Sequence, residues 1–244
     1  DVDIDRQKFL SLLNKTKISM SNDETRHYLN GIFIHSTVSN KRSYLTGVAT
    51  DSHRLSSSSI PVENLNEFKS FILPKKAVFQ LCNLLQESKE KVLLNSSETK
   101  IQFKIGNSKI ISKIIDGKFP DYSKVVPKNN NKILSINTKN FINSIERVTT
   151  VSIDRKEGVK LTLGKDNVQL FVNSSSSGEG KESLNANYDA DDLTISFNSR
   201  YLLDIASEIE DEKLVMNLND AVSPVLIQDN KDKNSYFVIM PMKI

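Results

Sequence analysis

Apolar residues recur along this chain with two periods, helical and strand-like, and the order of those periods repeats once. Over Gln7 to Met20 the spacing is helical: Phe9, Leu13 and Met20 share a face that Leu10, Leu12 and Ile18 broaden. Asp5 stands where an N-cap is needed. Strand-like runs follow over Tyr28 to Ile34, Tyr44 to Ala49, Leu55 to Ile60 and Glu67 to Leu73. Pro74 opens a second predicted helix with the stripe Val78, Leu81, Cys82 and Leu85, because a first helical position does not need the amide proton that proline lacks. Three more runs, Lys91 to Leu94, Lys100 to Ile105 and Lys109 to Ile115, close the first half.

The polar stretch Pro127 to Lys132 has nothing to bury and reads as a linker. The pattern then restarts. Thr138 is placed to cap a helix with the stripe Phe141, Ile142, Ile145 and Val148. Runs over Val159 to Leu163, Val168 to Val172, Leu184 to Tyr188 and Leu193 to Phe197 come next. Asn198 or Ser199 caps a last helix, with Leu202, Ile205, Ala206 and Ile209 inward, and three runs end the chain: Lys213 to Leu218, Pro224 to Gln228 and Tyr236 to Met240. Ser174 to Gly180 reads as a flexible hairpin loop, since it lacks the spacing of a phosphate-binding loop. Phe9 with Leu13 matches Phe141 with Ile145, and Leu73-Pro74 matches Phe197-Asn198 at an offset of about 124 residues. The expectation is an α+β fold of two repeated domains, 1–126 and 127–244, each with two helices laid on antiparallel sheets that cannot bury their apolar faces alone.

Composition adds bounds. The chain has 244 residues, 38% hydrophobic and 26% charged, enough for a packed core, and a net charge of +3 that does not by itself call for nucleic acid. A single cysteine, Cys82, excludes an internal disulfide and agrees with a cytoplasmic protein, as does the acidic N-terminus without a signal pattern. His27, His35 and His53 are scattered without metal-ligand spacing, so neither metal nor cofactor is expected.

Candidate chemistry concentrates in Ala49-Thr50-Asp51-Ser52-His53-Arg54-Leu55. Asp51, Ser52 and His53 could suggest a hydrolase, but neighbours in an extended segment point to opposite faces, and triads are assembled from distant parts of a fold. The segment reads better as a turn closing a strand. It also resembles the ATDGHRL signature of the bacterial DNA polymerase III beta subunit (beta sliding clamp) family. Tyr28-Leu29-Asn30-Gly31, Asp116-Gly117-Lys118-Phe119-Pro120-Asp121-Tyr122 and the ending Val238 to Ile244 are similar to that family's YLNG, DGRFPDY and VVMPMRL, in the same order and at similar spacing.

The resemblance covers essentially the whole sequence, and matches only the family's second and third domains. It implies a DNA-clamp fold, no catalysis, and a groove at the domain junction for short linear motifs of the polymerase III alpha subunit, the clamp loader and repair proteins. Carried over residue by residue, the groove would be lined by Leu29, Thr50, His53, Arg54 and Leu55, by Pro120, Lys124 and Val125, and by Asn198, Tyr201, Val222, Val238, Met240, Pro241 and Met242. Ser52, Lys124, Pro224 and Lys156 depart from the family's usual glycine, arginine, serine and phenylalanine. The resemblance also implies that Lys15, Lys17, Lys75, Lys76, Lys139 and Arg147 face duplex DNA without sequence readout. Family chains close as a homodimeric ring of six domains, so a chain with two of its three domains is expected to be monomeric. The implied function is that of a processivity factor tethering polymerase to DNA. The alternatives are the hydrolase and a stand-alone peptide-binding scaffold.

Overall fold

The computed structural model describes residues 1–65, 67–153 and 158–243. Lys156 and Ile244, both singled out above, lie outside the described residues. The chain divides into two compact units, Asp1–Asp121 and Tyr122–Ile244.

Unit 1 runs β1 (Val2–Ile4), α1 (Arg6–Lys17), β2 (Gly31–Ser39), β3 (Arg42–Thr50), β4 (Arg54–Pro61), β5 (Phe71–Pro74), α2 (Lys75–Glu87), β6 (Val92–Ser96), β7 (Lys100–Ile105) and β8 (Ser108–Lys113). Its antiparallel strands are ordered β1-β6-β7-β8 in one sheet and β4-β3-β2-β5 in the other. Both helices face both sheets, so one core holds Phe9, Leu12, Leu13, Val78, Leu81 and Leu85 with Ile32, Ile34 and Leu45 of one sheet and Val92, Leu94 and Phe103 of the other. Phe9 stacks on Phe103 at 5.8 Å between ring centroids. Leu12 presses on Gly47 of β3, where a Cβ would stand 2.6 Å from Leu12 Cδ2. Asp5 caps α1 by accepting from the Lys8 amide.

Unit 2 repeats the plan: β9 (Lys132–Asn137), α3 (Thr138–Val148), β10 (Gly158–Gly164), β11 (Asn167–Ser174), β12 (Gly178–Asn185), β13 (Asn187–Tyr188), β14 (Leu193–Asn198), α4 (Ser199–Ser207), β15 (Lys213–Leu218), β16 (Val225–Asp229) and β17 (Ser235–Ile239). Its sheets are β12-β11-β10-β14 and β13-β9-β15-β16-β17. Phe141, Ile145, Leu202 and Ile205 of the helices are fully buried, as are Leu161, Leu170, Phe197, Met216 and Ile227 of the strands.

The differences from the sequence expectation are local. Tyr28 and Leu29 end a 3-10 turn, Glu24–Leu29, rather than starting a strand. Asn137, not Thr138, caps α3, because its side chain accepts from the Asn140 amide while Thr138 is already helical. Pro74 ends β5 and stands at the N-cap of α2 instead of the first helical position. The polar stretch read as a linker is tied to unit 2: the Asn130 side chain donates to Asn217 O at 2.8 Å and to Pro224 O at 2.9 Å, and Lys132 begins β9. Strand β12 takes in Gly178 to Gly180 of the stretch read as loop and β11 ends on its first residue, Ser174, and the exposure of β12 alternates along most of its length.

Candidate functional site

In unit 1 the Thr50–Leu55 segment is a turn built almost entirely from its own side chains. Asp51 Oδ1 accepts from the His53 amide at 2.9 Å and the Arg54 amide at 3.0 Å, and Asp51 Oδ2 accepts from Arg54 Nε at 3.2 Å. Thr50 Oγ1 donates to Arg54 O at 2.7 Å and accepts from the Ser52 amide at 3.2 Å. Ser52 is held at φ 77°, in the left-handed region. Its hydroxyl accepts from Arg26 Nη1 at 2.5 Å, and Arg26 is held in turn by Asp23, whose carboxyl is lowered to about 2 chiefly by the Thr25 hydroxyl and then by Arg26. Both oxygens of Asp51 thus secure the turn and its arginine, which removes the carboxylate that a triad would aim at an imidazole.

The same unit holds Phe119 buried against Phe33, their rings 5.0 Å apart and 9° from parallel, which fixes the segment after Asp116. His27 Nε2 lies 3.0 Å from Asp116 O. Pro120 follows at the surface. Leu29 and Leu55 are 3% and 2% exposed, so they support this surface from beneath instead of presenting it, whereas His53 is exposed.

Unit 2 carries the other expected residues. Asn198 uses its side chain to cap α4, accepting from the Arg200 and Tyr201 amides at 3.0 and 3.2 Å. Asp220 organises the loop before β16, accepting from the Val222 amide at 2.9 Å, the Ser223 amide at 2.6 Å and the Ser223 hydroxyl at 2.9 Å. These bonds, the Val222 amide first, hold the Asp220 carboxyl below the usual carboxylate range and leave Val222 exposed. Val238 is buried, but beyond β17 the chain turns outward: Met240 and Met242 are 39% and 38% exposed. Met242 is pinned there by its amide, which donates to Ser196 O at 2.7 Å, and its sulfur rests against Gly158. Lys124 ends a short 3-10 turn and Val125 beside it is exposed.

The basic candidates separate. Lys76 and Lys139 are exposed. Lys75 donates to the Asn22 side chain, and Lys17 donates to Asn14 Oδ1 at 2.7 Å with its ammonium 6.0 Å from the Phe79 ring centre. Lys15 is only 3% exposed and does not belong to a solvent-facing set, since its position on α1 turns it inward beside Leu12, Leu13 and Thr16. Arg147 is engaged by Glu182 of β12, with Nη2 2.6 Å and Nε 3.1 Å from Oε1, while Ser144 donates to Oε2 at 2.6 Å. Spacing along one helix could not reveal that pair, because Glu182 comes from a distant strand. Among the described residues no cluster of histidine, cysteine and carboxylate groups could hold a metal, and no helix is long and apolar enough to cross a membrane.

Comparison with known proteins agrees along the whole chain. Residues 3–121 match the family model of the DNA polymerase III beta subunit, central domain, and residues 123–243 that of its C-terminal domain. The beta sliding clamp of Caulobacter vibrioides is 34% identical over 242 residues, 99% of this chain and 65% of the relative; that of Escherichia coli is 30% identical over 233 residues, 96% and 63%. Among solved structures, a Caulobacter crescentus beta sliding clamp superposes with a TM-score of 0.97 at 33% identity, covering 100% of this chain and 65% of that one. A Bartonella birtlesii sliding clamp bound to griselimycin gives 0.95 at 40% identity, covering 100% and 66%. The chain therefore spans about 65% of the length of the curated relatives it matches.

Proposed function

We propose a function from one premise: the chain belongs to the DNA polymerase III beta subunit family, the beta sliding clamps, and carries its central and C-terminal domains. The function is that of a processivity factor in DNA replication, which holds polymerase and other partners to duplex DNA by binding their short peptide motifs. Peptide binding falls to two residue sets: Thr50, His53 and Arg54 with Pro120 in unit 1, backed by the buried Leu29 and Leu55, and Lys124, Val125, Asn198, Tyr201, Val222, Met240, Pro241 and Met242 in unit 2, backed by the buried Val238. DNA contact falls to Lys17, Lys75, Lys76 and Lys139 as weak, salt-sensitive phosphate contacts.

One observation carries the peptide reading. Two methionines directly after a buried strand stay more than a third exposed, and a backbone hydrogen bond to β14 holds one of them there. Flexible, polarisable thioethers at the surface suit a site that must accept several different partners.

The test is calorimetry with a peptide of the glutamine-leucine-x-leucine-phenylalanine type. Burying two or three large apolar side chains at about 1.5–3 kcal/mol each, against an ordering cost of about 2–5 kcal/mol, leaves at most about 7 kcal/mol, so the apolar contacts alone support an affinity no tighter than about 10 μM. Met240→Ala is expected to weaken binding severalfold or more. Undiminished affinity in both Met240→Ala and Met242→Ala would remove these residues from the site.

A further inference from the structure

The sheet β13-β9-β15-β16-β17 of unit 2 turns an uncharged row of side chains away from its core. Ile133 of β9 stands opposite Asn217 of β15, Asn217 opposite Leu226 of β16, and Leu226 opposite Val238 of β17, so the row crosses four strands. Val215 and Gln228 face each other in the next row. Leu134, Met216 and Ile227, which alternate with these positions along the strands, are fully buried on the opposite side.

An antiparallel sheet with one face in water normally sets apolar residues inside and polar ones outside. Here Ile133 is 54% exposed, Val215 and Leu226 are half-buried, and the only polar groups between them satisfy each other, Asn217 Nδ2 donating to Gln228 Oε1 at 2.7 Å. The fold does not forbid charge at such positions. In unit 1 the corresponding strands set Lys104 of β7 directly opposite Lys109 of β8, both exposed. The apolar row also leads somewhere: it ends on Val238, two residues before Met240 of the peptide surface.

We propose that this row extends the peptide site, taking an uncharged, apolar segment that directly adjoins the core motif, so that partners are selected by what flanks their motif. The inference rests on the peptide reading above. From Val238 to Ile133 is three strand spacings, about 14 Å, which about four extended residues span. Apolar side chains of that segment cover Leu226 and Ile133, as contiguous exposed apolar surface calls for. The row offers no cation to an acidic segment or to a phosphate backbone, which sets it apart from a nucleic-acid contact.

Calorimetry on the 244-residue chain tests the proposal with three end-blocked peptides: Gln-Leu-Ala-Leu-Phe, and that core extended by Thr-Val-Thr-Val at one end or at the other. One extended peptide is expected to bind about tenfold tighter than the core, as one or two newly covered apolar side chains allow. Ile133→Lys with Leu226→Lys should remove that gain and leave the affinity for the core within about twofold, which also reports that the variant is folded. Ile133→Lys alone, a change at an exposed position, should remove part of the gain. Failure of the core peptide to bind would end the peptide reading, and this inference with it. Binding of the core with no gain from either extension would overturn this inference alone, as would an equal gain from a Thr-Glu-Thr-Glu extension. Loss of core binding in Ile133→Lys would overturn it too, by placing that residue under the core motif. Self-association of the chain that Ile133→Lys abolishes would show a second copy as the occupant and overturn it equally.

Discussion

Arg26 donates from Nη1 to Ser52 Oγ at 2.5 Å, bridging the 3-10 turn of unit 1 to a serine held at positive φ. A left-handed conformation costs a non-glycine residue roughly 1–2 kcal/mol, and the hydrogen bond offsets roughly 0.5–1 kcal/mol of it. Ser52→Ala keeps the strain and loses the bond, so the unit 1 transition in urea should fall by about 0.5–1 kcal/mol. Ser52→Gly loses the bond but also the strain, and its greater freedom when unfolded leaves it within about 1 kcal/mol of the parent. Neither change should affect peptide affinity by more than about twofold. An ester-hydrolysing activity that vanishes in Ser52→Ala would restore the hydrolase reading.

Arg147, Glu182 and Ser144 form one unit between α3 and β12. Arg147 raises no positive potential on its own while Glu182 is beside it, and Glu182 is kept ionised, its carboxyl lowered first by the Arg147 bond and then by Ser144. Arg147→Gln should therefore change duplex retention far less than Lys76→Glu, at any salt concentration. In thermal denaturation Arg147→Ala and Glu182→Ala should each lower the unit 2 transition by on the order of 2 °C, and the double variant by no more than the larger single effect. Additive losses would show that the pair is not coupled.

The helical stripes were legible because Phe9, Leu13, Phe141 and Ile145 obey the period of a face buried on a sheet. The turn at Asp51 was legible because an aspartate followed by two more polar residues is a local device, and the hydrogen bonds that Asp51 accepts come from His53 and Arg54, two and three positions on; the Arg26 bond to Ser52, from 26 positions away, was not legible. Strand β12 was not legible: Gly178 to Asn185 is polar, and only its pairing with β11 makes it a strand. Among the expected site residues, side-chain type did not separate Leu29 and Leu55, which are buried, from Met240 and Met242, which are not. Burial depends on what the rest of the fold lays over a position, and no local pattern carries that. The Phe33–Phe119 stack was hidden for the same reason, one ring coming from β2 and the other from the segment that ends unit 1.

Gly31 begins β2 where Leu73 of β5 crosses it, and a Cβ there would stand 2.1 Å from Leu73 O, a backbone atom that cannot swing aside. Gly31→Ala must push β5 away from β2, disturbing the strand that runs into α2. A loss of more than about 3 kcal/mol, or failure to accumulate as folded protein, is the expected outcome. Gly164→Ala is the control, since its Cβ would meet nothing nearer than Asp192 Oδ1 at 3.6 Å and the φ is ordinary. It should be neutral or slightly stabilising in the same denaturation experiment. Equal tolerance of both changes would contradict the close β2–β5 approach.

Asp220 gives unit 2 a pH dependence whose sign follows from its partners. The Val222 amide, then the Ser223 hydroxyl and amide, bind the ionised carboxylate and hold its folded-state pKa below the ordinary aspartate value of 3.8. A depressed pKa means that the unfolded loop takes up the proton more readily than the folded one. The stabilisation is then fully present above the ordinary aspartate pKa and is lost as pH falls through the lower folded value. The Val222 and Ser223 amide resonances should accordingly stay constant on acidification through the ordinary aspartate range and move only below it, as the loop loses its anchor. Asp220→Asn keeps the shape but weakens the acceptor, so it should abolish this low-pH step and leave Val222 less ordered at neutral pH. Titration of those amides at the ordinary aspartate value would show that the carboxylate does not hold the loop.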